Sequence, residues 1–383
     1  MSEFLLNEVC ELIVDCPHTT ANDEGKGFPL VRTPNIGKGR LVYDGMHRVC
    51  EDVYNKRNAR AIPQENDLIF AREATAGNVA LIQKGEKVCL GQRTVLIRPN
   101  QEKVNPAFLT YFLLAPKQQY NLLSTANGAT VAHVNLPTIR NLKIDLPELP
   151  AQHRIATILS RYDSLIGNYQ KQIKLLEEAA QRLYKEWFID LHFPGHENTK
   201  IVDGVPEGWE KKKVDSIYNI KYGKNLSTKL ITDTGLYPVY GANGVIGYYD
   251  KANCNEQVVL ITSRGNGSGD VLKTYHKDAF ITNNSFIVTP LEGFEYCKLP
   301  FTFQFLTMAN FRAVRTGAAQ PQLTNQSIHT VDVVLPDEKL IEKFCSATIG
   351  MNDTIIKYRE QIRLLTEARD RLLPKLMSGE ITV

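Results

Sequence analysis

The chain has 383 residues, of which 43% are hydrophobic and 9% aromatic, so it is long enough for two domains with ordinary cores. No apolar run reaches the length of a membrane span, and the first residues lack the pattern of a signal peptide, so we expect a cytoplasmic protein. The formal net charge of +3 is nearly balanced, and by itself it neither indicates nor excludes a nucleic-acid partner.

The first 150 residues predict one mixed α/β unit. Short β-type runs bounded by turn residues predict strands at Glu11–Val14, Arg40–Tyr43, Asp67–Ala71, Val79–Gln83 and Arg93–Arg98. A helical stretch then begins after Asn105, with Pro106 in its first turn and Pro116 near its end.

Residues 151–190 predict a long helix that needs a partner helix. Its apolar residues recur alternately three and four positions apart, which is the spacing of a coiled-coil contact line. We call this line the first seam: Ile155, Leu159, Tyr162, Ile166, Tyr169, Ile173, Leu176, Ala180, Leu183 and Trp187.

A linker rich in glycine and proline, residues 191–209, separates this helix from a second unit, residues 210–336. The second unit repeats the plan of the first, with strands expected at Val258–Thr262, Asp270–Lys273 and Ser285–Thr289 and a helix at Phe301–Phe311. Residues 337–383 contain a second long helix and the C-terminal tail, with Asp337 as the expected N-cap and Leu373-Pro374 as the expected end of the helix. The second seam is Phe344, Thr348, Met351, Ile355, Tyr358, Ile362, Leu365, Arg369, Leu372 and Leu376, and it is weaker at Thr348 and Arg369.

The two halves are copies of one pattern. A shift of 189 positions (358 − 169) places Tyr169 on Tyr358 and aligns the flanking residues of both helices without a gap. We therefore predict an α+β fold in which two long helices form an intramolecular antiparallel coiled coil that holds two mixed α/β domains apart, with a pseudo-two-fold internal repeat. Such a spacer suits duplex DNA, whose half-sites recur about every 34–36 Å.

Several stretches resemble the specificity subunits of type I restriction–modification systems. They are Thr316–Leu323 with its counterpart Asn127–Val134, Asp145–Gln152, Leu335-Pro336, Leu183–Phe188, Val205–Trp209 and Leu372–Glu380. Together they span nearly the whole chain in the order typical of that family. The first half departs from the pattern at Val131–His133, where the second half has Gln320–Gln322.

The resemblance implies that each unit is a target-recognition domain that reads one part of a split DNA sequence. It implies that the two long helices, which the family conserves, set the unread gap and dock two methyltransferase subunits, with restriction subunits joining further out. S-adenosylmethionine, ATP and Mg would then belong to partner subunits, and we expect no cofactor on this chain. The candidate coiled-coil and partner residues are Tyr162, Tyr169, Ile173, Leu176, Leu183, Trp187, Tyr358, Ile362, Leu365 and Leu372.

Side chains able to read base edges or bind phosphates occur in the loops of both units. The candidates in the first unit are Arg32, Thr33, Asn35, Lys38, Arg40, Arg72, Thr75, Asn78, Gln92 and Arg93. The candidates in the second unit are Tyr240, Asn243, Arg264, Asn266, Ser268, Asn283, Asn284, Arg315, Gln320 and Gln322. Because these loops differ between the halves far more than the helices do, we expect an asymmetric DNA target.

Signatures of catalysis are missing from the sequence. The glycine-rich stretch at residues 265–269 has no following helix to present its N-terminus to a phosphate, and the one at residues 241–247 reads as a hairpin or loop. We interpret both as tight turns, or as small loops that can approach a DNA backbone closely. The seven cysteines form no CxxC pair, so we expect reduced thiols and no metal. We therefore expect a non-catalytic subunit. Two other readings stay open: a DNA-modifying or DNA-cleaving enzyme whose motifs are not recognisable, and a non-enzymatic scaffold that binds protein or glycan.

Overall fold

The computed structural model describes residues 2–124, 133–317 and 320–383. The chain divides into two compact units, the first comprising Met1–Asn168 with Gln361–Val383 and the second comprising Tyr169–Glu360. Within the described ranges, no helix combines the length and the apolar composition that a membrane crossing requires.

The first globule, up to the start of the long helix, is built from short strands and helices. The strands are β1 Ser2–Leu5, β2 Cys10–Asp15, β3 Phe28–Val31, β4 His47–Val49, β5 Leu68–Ala71, β6 Val79–Leu81, β7 Cys89–Leu90, β8 Thr94–Pro99 and β9 Lys143–Leu146. The helices are α1 Glu51–Arg57, α2 Pro106–Leu114, α3 Pro116–Ser124, α4 Leu136–Arg140 and the long α5 Leu149–Tyr184, which is followed by a π-helical turn at Lys185–Ile189.

The second globule follows the same plan with one additional hairpin. The strands are β10 Ile201–Val202, β11 Val205–Pro206, β12 Glu210–Lys213, β13 Tyr218–Tyr222, β14 Tyr237–Gly241, β15 Gly244–Tyr249, β16 Val259–Thr262, β17 Val271–Lys273, β18 Phe280–Ile281, β19 Ser285–Pro290 and β20 Asp332–Leu335. The helices are α6 Leu299–Met308, α7 Asn325–Ile328 and the long α8 Glu338–Ser378.

Sheet topology shows the internal repeat. In the first unit an antiparallel sheet has the order β2-β8-β5-β6, a second sheet has the order β4-β3-β7 with β3 and β7 parallel, and β1 pairs with β9. In the second unit the corresponding orders are β13-β19-β16-β17, β15-β14-β18 with β14 and β18 parallel, and β12-β20. The expected mixed α/β repeat is confirmed.

Both faces of strand β5 are covered, one by helices and the other by the second sheet of the first unit. All four of its residues are buried, and alternate side chains of a strand point to opposite faces. Leu68 and Phe70 pack into a core with α2, whereas Ile69 and Ala71 pack into a second cluster that includes Val31 of β3.

Both long helices pack against the globules as well as against each other. Ile155 and Leu159 of α5 belong to the main core of the first unit, together with Leu373 and Leu376 of α8. This burial carries α8 past Pro374, because Leu376 is only 2% exposed and its burial stabilises the last turn. The expected end at Leu373-Pro374 is therefore wrong, and the helix ends at Ser378.

The helices pair antiparallel within each unit. In the first unit Asp163 of α5 forms an ion pair with Arg369 of α8 at 2.6 Å, and Arg154 donates to the carbonyl of Val383. In the second unit the ring of Tyr169 stacks on that of Tyr358. Along α5 the residues Arg154, Asp163 and Tyr169 meet Val383, Arg369 and Tyr358 in turn, so the numbers of the partner residues fall as those on α5 rise, which is the antiparallel order.

All residues of the two predicted seams are buried or half-buried. The two weak positions of the second seam are satisfied in different ways. Thr348 is 1% exposed and donates its hydroxyl to the carbonyl of Phe344 one turn earlier, while Arg369 pairs with Asp163. Trp187 lies in the π-helical turn beyond α5 and packs edge-on against Phe344.

The secondary structure differs from the sequence prediction in two more places. No strand forms at Arg40–Tyr43, because the carbonyl groups of this segment are used in local hydrogen bonds. The Arg40 carbonyl accepts from Gly37 N–H in a tight turn, and the Val42 carbonyl accepts from the Asn35 side-chain amide. The helix expected at Phe301–Phe311 begins earlier and ends earlier, as α6, and Phe311 opens a separate 3-10 turn. Asp337 is the expected N-cap and accepts from Lys339 N–H. Asn105 caps α2 in the same way, by accepting from Phe108 N–H.

Candidate nucleic-acid interface

The β16–β17 loop of the second unit, residues 263–270, meets three other segments. Ser263 N–H donates to the Asn284 carbonyl at 2.8 Å, which joins the loop to the turn before β19. Leu323 N–H donates to the Ser263 carbonyl at 2.7 Å, and Gly265 N–H donates to the Pro321 carbonyl at 3.0 Å. These bonds hold the loop against the turn that contains Gln320 and Gln322.

The β14–β15 hairpin completes the same surface. Thr262 donates its hydroxyl to the Ala242 carbonyl at 2.7 Å, and Ser285 donates to the Gly241 carbonyl at 3.2 Å. Asn243, at the tip of the hairpin, therefore lies beside the β16–β17 loop.

We call the result the second-unit loop surface. Asn243, Arg264, Asn266, Gln320 and Gln322 are exposed on it, and Asn283, Asn284 and Arg315 are partly exposed. It contains guanidinium and amide groups, which are the donors that pair with guanine and adenine edges.

Two candidates of the second unit are buried. The Tyr240 hydroxyl accepts from Tyr275 N–H at 3.0 Å and lies 2.9 Å from His276 Nδ1, and burial raises the pKa of this tyrosine. Ser268 is fully buried and donates to the Ser263 carbonyl. Both residues contribute to the shape of the surface from beneath it.

The β5–β6 loop of the first unit has the same backbone plan. Val134 N–H donates to the Arg72 carbonyl and Arg72 N–H to the Arg93 carbonyl, as Leu323 and Ser263 do in the second unit. Each loop ends in a glycine whose amide returns to the end of the preceding strand: Gly77, with φ +90°, and Gly269, with φ +87°. This left-handed conformation favours glycine. Residues 125–132, most of the turn that corresponds to the one around Gln320, lie outside the described residues.

The side chains on the two loops differ in charge. Arg72 is 7% exposed and is held by Asp15 at 2.6 Å, by the Val134 carbonyl at 2.8 Å and by His133 at 2.9 Å. Glu73 pairs with His133 and with Arg93.

In the second unit Arg264 follows Ser263 as Glu73 follows Arg72, so a cation stands where the first unit has an anion. Among the described residues, no acidic group lies within ion-pairing distance of Arg264.

Other candidates of the first unit support the loops internally. Asn35 is 1% exposed and bonds to the carbonyls of Val42 and Asp44 and to Arg32 N–H. Thr75 donates to the Thr33 carbonyl, and Asn78 donates to the Ile36 carbonyl.

The remaining first-unit candidates lie in two places. Arg32 donates to the Gly45 carbonyl and Gln92 to the His18 carbonyl. Lys38 and Arg40 are exposed next to α5, where Lys38 lines a small cavity with Asp163 and the guanidinium of Arg40 lies against Gly167. The structure thus places these two cations beside the paired helices.

Four residues around these loops are not among the candidates predicted from the sequence. Glu73 and His133 organise the first loop, and Tyr222 and Lys224 are exposed beside the second. The Tyr222 hydroxyl reaches the Leu323 carbonyl, and the Lys224 carbonyl accepts from Asn283 N–H. Aligning the two loops on their terminal glycines would have revealed Glu73, and the Tyr-Gly-Lys run at a strand end was a signal for the other pair.

The described residues contain neither a metal-binding cluster nor a sign that the buried cysteines act as nucleophiles. In the described ranges no cluster of three or more histidine, cysteine, aspartate or glutamate side chains could hold a metal ion. All seven cysteines are free thiols, and burial raises the pKa of Cys89 to about 11 and of Cys10 to about 12. Such thiols are not ionised at neutral pH and are poor nucleophiles.

The model of one family, the type I restriction modification DNA specificity domain, matches the chain twice, at residues 1–178 and 206–362. The chain belongs to this family. The two matched ranges cover most of the sequence and coincide with the two halves of the internal repeat, so the resemblance noted in the sequence is confirmed.

Similar proteins of the specificity-domain family match along nearly their full length. The putative type I restriction enzyme MjaX specificity subunit of Methanocaldococcus jannaschii is 31% identical, over 99% of this chain and 93% of that protein. The MjaIX specificity subunit of the same organism is 24% identical, over 94% of this chain and 88% of that protein.

A solved structure shares the fold of this family member. The S subunit of a type I restriction–modification system from M. genitalium aligns with a TM-score of 0.59 at 18% identity, over 98% of this chain and 95% of that one. At this identity the likeness bears on the fold, which agrees with the predicted α+β repeat with paired long helices.

Proposed function

We propose that this chain is the DNA-recognition subunit of a type I restriction–modification complex and reads a bipartite, asymmetric sequence in double-stranded DNA. The observation that carries the proposal is the second-unit loop surface, where Arg264, Asn266 and Gln322 are exposed on loops held by main-chain hydrogen bonds. Rigid loops present their donors in a fixed geometry, which base readout requires. Membership of the specificity-domain family supports the same conclusion.

Asymmetry of the target follows from the difference between the two loops. Their backbones share hydrogen-bond plans, so both can approach a DNA groove in the same manner. Arg264, however, presents donors to guanine or phosphate, while Glu73 is an acceptor already engaged by Arg93 and His133. The two units therefore read unlike base sequences.

The proposed division of labour follows the chain. Residues 1–150 and 210–336 are the two target-recognition domains, residues 151–190 and 337–383 supply the paired helices that set the unread gap, and residues 191–209 connect the halves. Within the second unit, the connecting segment is anchored by Phe193 and Trp209, whose rings lie 5.6 Å apart.

Partner subunits need a surface that helix pairing leaves free. The seam residues are used inside the chain, but Leu175 on α5 and Leu364 on α8 are 55% and 44% exposed and are equivalent under the 189-residue shift. We propose that these two equivalent positions contact the two methyltransferase subunits, and that restriction subunits join this assembly. S-adenosylmethionine, ATP and Mg then act on the partners, and the complex works on DNA in the cytoplasm.

The test is methylation mapping. The chain is co-expressed and co-purified with the methyltransferase encoded beside it, and methylated sites are mapped across a genome. We expect a two-part motif with unlike halves and a constant gap. A palindromic motif contradicts the asymmetric target, and methylation independent of this chain contradicts the recognition role. Leu175→Glu and Leu364→Glu should each lower the amount of methyltransferase that co-purifies, and an unchanged amount would remove those surfaces from the proposal.

A further inference from the structure

The second unit contains a cavity of about 430 Å³ bordered by β17, α6 and the paired long helices. Lys273, Gln304 and Asn352 form polar parts of its wall, and Phe303 and Met351 form apolar parts. Its volume lies within the range of sites that bind small molecules, roughly 300–1,000 Å³.

Lys273 is a cation with a neutral partner. Its Nζ donates to the Asn352 Oδ1 at 3.0 Å and lies 5.0 Å from the centre of the Phe303 ring. Among the described residues, no carboxylate lies within ion-pairing distance of this ammonium group. Glu177 of α5, which also lines the cavity, is engaged by Arg359 at 3.3 Å and by the Tyr275 hydroxyl at 3.2 Å.

Gln304 adds an unused donor. The residue is only 8% exposed, and its side-chain amide has no hydrogen-bond partner among the described residues, although it lines the cavity. The amide atoms keep contact with solvent through the cavity and are not sealed in the core. A ligand in the cavity that accepts a hydrogen bond can therefore replace solvent as the partner of this amide.

The equivalent place in the first unit is closed by an ion pair. There Asp163 accepts from Arg369 at 2.6 Å and from the Tyr111 hydroxyl at 2.6 Å, and the cavity measures about 210 Å³. Burial beside this carboxylate raises the pKa of Tyr111, so its hydroxyl stays protonated as a donor.

The repeat relates the two places residue by residue. The 189-residue shift places Asp163 on Asn352, and the register of β6 and β17 places Leu81 on Lys273. Aligning the paired phenylalanines of α2 and α6 places Tyr111 on Gln304. The second unit has thus gained a lysine, exchanged the carboxylate for an amide and replaced the equivalent of Arg369 by Ala180. Glu177 is the carboxylate that acts on Lys273, but it is shared with Arg359, so the two cations have one acidic group between them.

We propose that this cavity binds a small organic anion, a carboxylate or phosphate carried on an apolar body, with Lys273 as the counter-charge and the Gln304 amide as a second donor. The anion occupies the role that Asp163 has in the first unit, and its apolar body packs against Phe303 and Met351. Burial lowers the pKa of Lys273 to about 8, so the ammonium form still predominates at neutral pH and is stabilised when an anion binds.

The test uses the purified full chain in a chloride buffer at constant ionic strength. Sodium benzoate, phenyl phosphate and inorganic phosphate are titrated in turn, with calorimetry and the thermal midpoint as readouts. We expect saturable binding of benzoate or phenyl phosphate, and stronger binding of these than of inorganic phosphate because only they fill the apolar part.

Two variants and a control assign the site. Lys273→Met and Asn352→Asp should each weaken binding about tenfold or more, the first by removing the cation and the second by supplying an internal carboxylate. Asn352→Asp should also raise the thermal midpoint without added anion. Lys277→Met removes an exposed lysine of the same segment and should bind like the wild type.

Absence of saturable binding to the wild type overturns the proposal, as does equal binding by the Lys273→Met variant. The same carboxylate chemistry could come from a partner protein. If added methyltransferase subunit abolishes benzoate binding, the natural anion is an acidic side chain of that subunit; if binding is unchanged, the natural anion is a free small molecule.

Discussion

The ring of Tyr169 stacks on the ring of Tyr358, with centroids 4.8 Å apart and planes inclined by 27°. These tyrosines occupy the same position in the two copies of the repeat, since the 189-residue shift relates them. A residue that packs on its own equivalent is expected where two copies of one helix pair antiparallel, because such an isologous contact is self-complementary. The two copies of the repeated helix, α5 and α8, thus pair with each other within one chain.

Removing either ring should weaken the helix pair. We expect Tyr169→Ala and Tyr358→Ala each to lower the free energy of unfolding by about 1–3 kcal/mol, with a coupling of about 0.5–1.5 kcal/mol in the double-mutant cycle. Chemical denaturation measures both quantities. Tyr120→Ala, at a tyrosine that is 73% exposed on α3, is the matched control and should change stability by no more than about 0.5 kcal/mol. Additive losses at the two positions would contradict the stacking.

The buried ion pair of the first unit makes a second prediction. Asp163 and Arg369 have side chains only 10% and 16% exposed, so Asp163→Ala leaves a guanidinium without its buried partner. We expect a loss of about 3 kcal/mol in unfolding free energy. Asp370→Ala removes the more exposed partner of the same arginine and should lose less than about 1 kcal/mol. Equal losses of unfolding free energy in the two variants would contradict the idea that burial makes the Asp163–Arg369 pair more stabilising than the Asp370–Arg369 pair.

Lys273 predicts a pH-dependent stability. Its folded-state pKa of about 8 lies below its usual value of 10.5 because burial disfavours the ammonium form. Between these two values the unfolded chain retains a proton that the folded chain has lost, so this residue's contribution to stability rises with pH. Its unfavourable contribution is therefore largest below pH 8.

Lys273→Met should then stabilise the chain most near pH 7, with the advantage over the wild type shrinking as pH rises from 8 towards 10.5. The charged and titratable groups around Nζ are Glu177, Arg359 and Tyr275, and the pKa of Tyr275 is raised to about 12, so the tyrosine stays neutral across this window. Urea unfolding in chloride buffers measures the difference. A constant difference across this range would mean that the lysine does not titrate as inferred.

Arg264 tests base reading directly. If its guanidinium contacts a base edge, Arg264→Ala should reduce DNA affinity by about 1–3 kcal/mol and relax sequence preference in one part of the motif only. Lys211→Ala, at an exposed lysine on β12, is the control for loss of one positive charge from the same unit. Both are measured by DNA binding and methylation mapping with the co-purified complex. An unchanged motif and an unchanged affinity for Arg264→Ala would show that Arg264 does not contact a base.

Helix length should set the unread gap. Inserting seven residues after Gln170 and seven after Arg359, which are equivalent positions, keeps both seams in phase and adds about 10 Å to the helix pair. The gap in the methylated motif should then grow by about three base pairs, at about 3.4 Å each. A motif with its original gap would refute the role of the helices as a spacer.

Patterns that are local in sequence predicted the fold well. Strands β5 and β16 are largely apolar runs in which every residue is buried, and both were identified from composition. Strands β3 and β7 were missed because they are short and pair in parallel, about 60 residues apart, so neither segment carries a signal of its own.

The candidate site was predicted less completely. The loops around Arg264 were found because polar residues cluster between apolar runs. Arg72 and Asn35 belong to equally polar stretches, yet both are buried and bonded within the protein. The partner of Arg72 is Asp15, 57 positions away, and no local pattern reveals such a pair.

The sequence by itself determined the two long helices, their seams and the duplication, because heptad spacing and a constant 189-residue shift are properties of the chain read in order. Only the tertiary structure decided which polar side chains face solvent. It also decided that the Asp163–Arg369 ion pair closes one place beside the paired helices, while the equivalent place, around Asn352 and Lys273, holds a cavity. The physical reason is that burial and charge compensation depend on groups that lie far apart in the sequence and meet only when the chain folds.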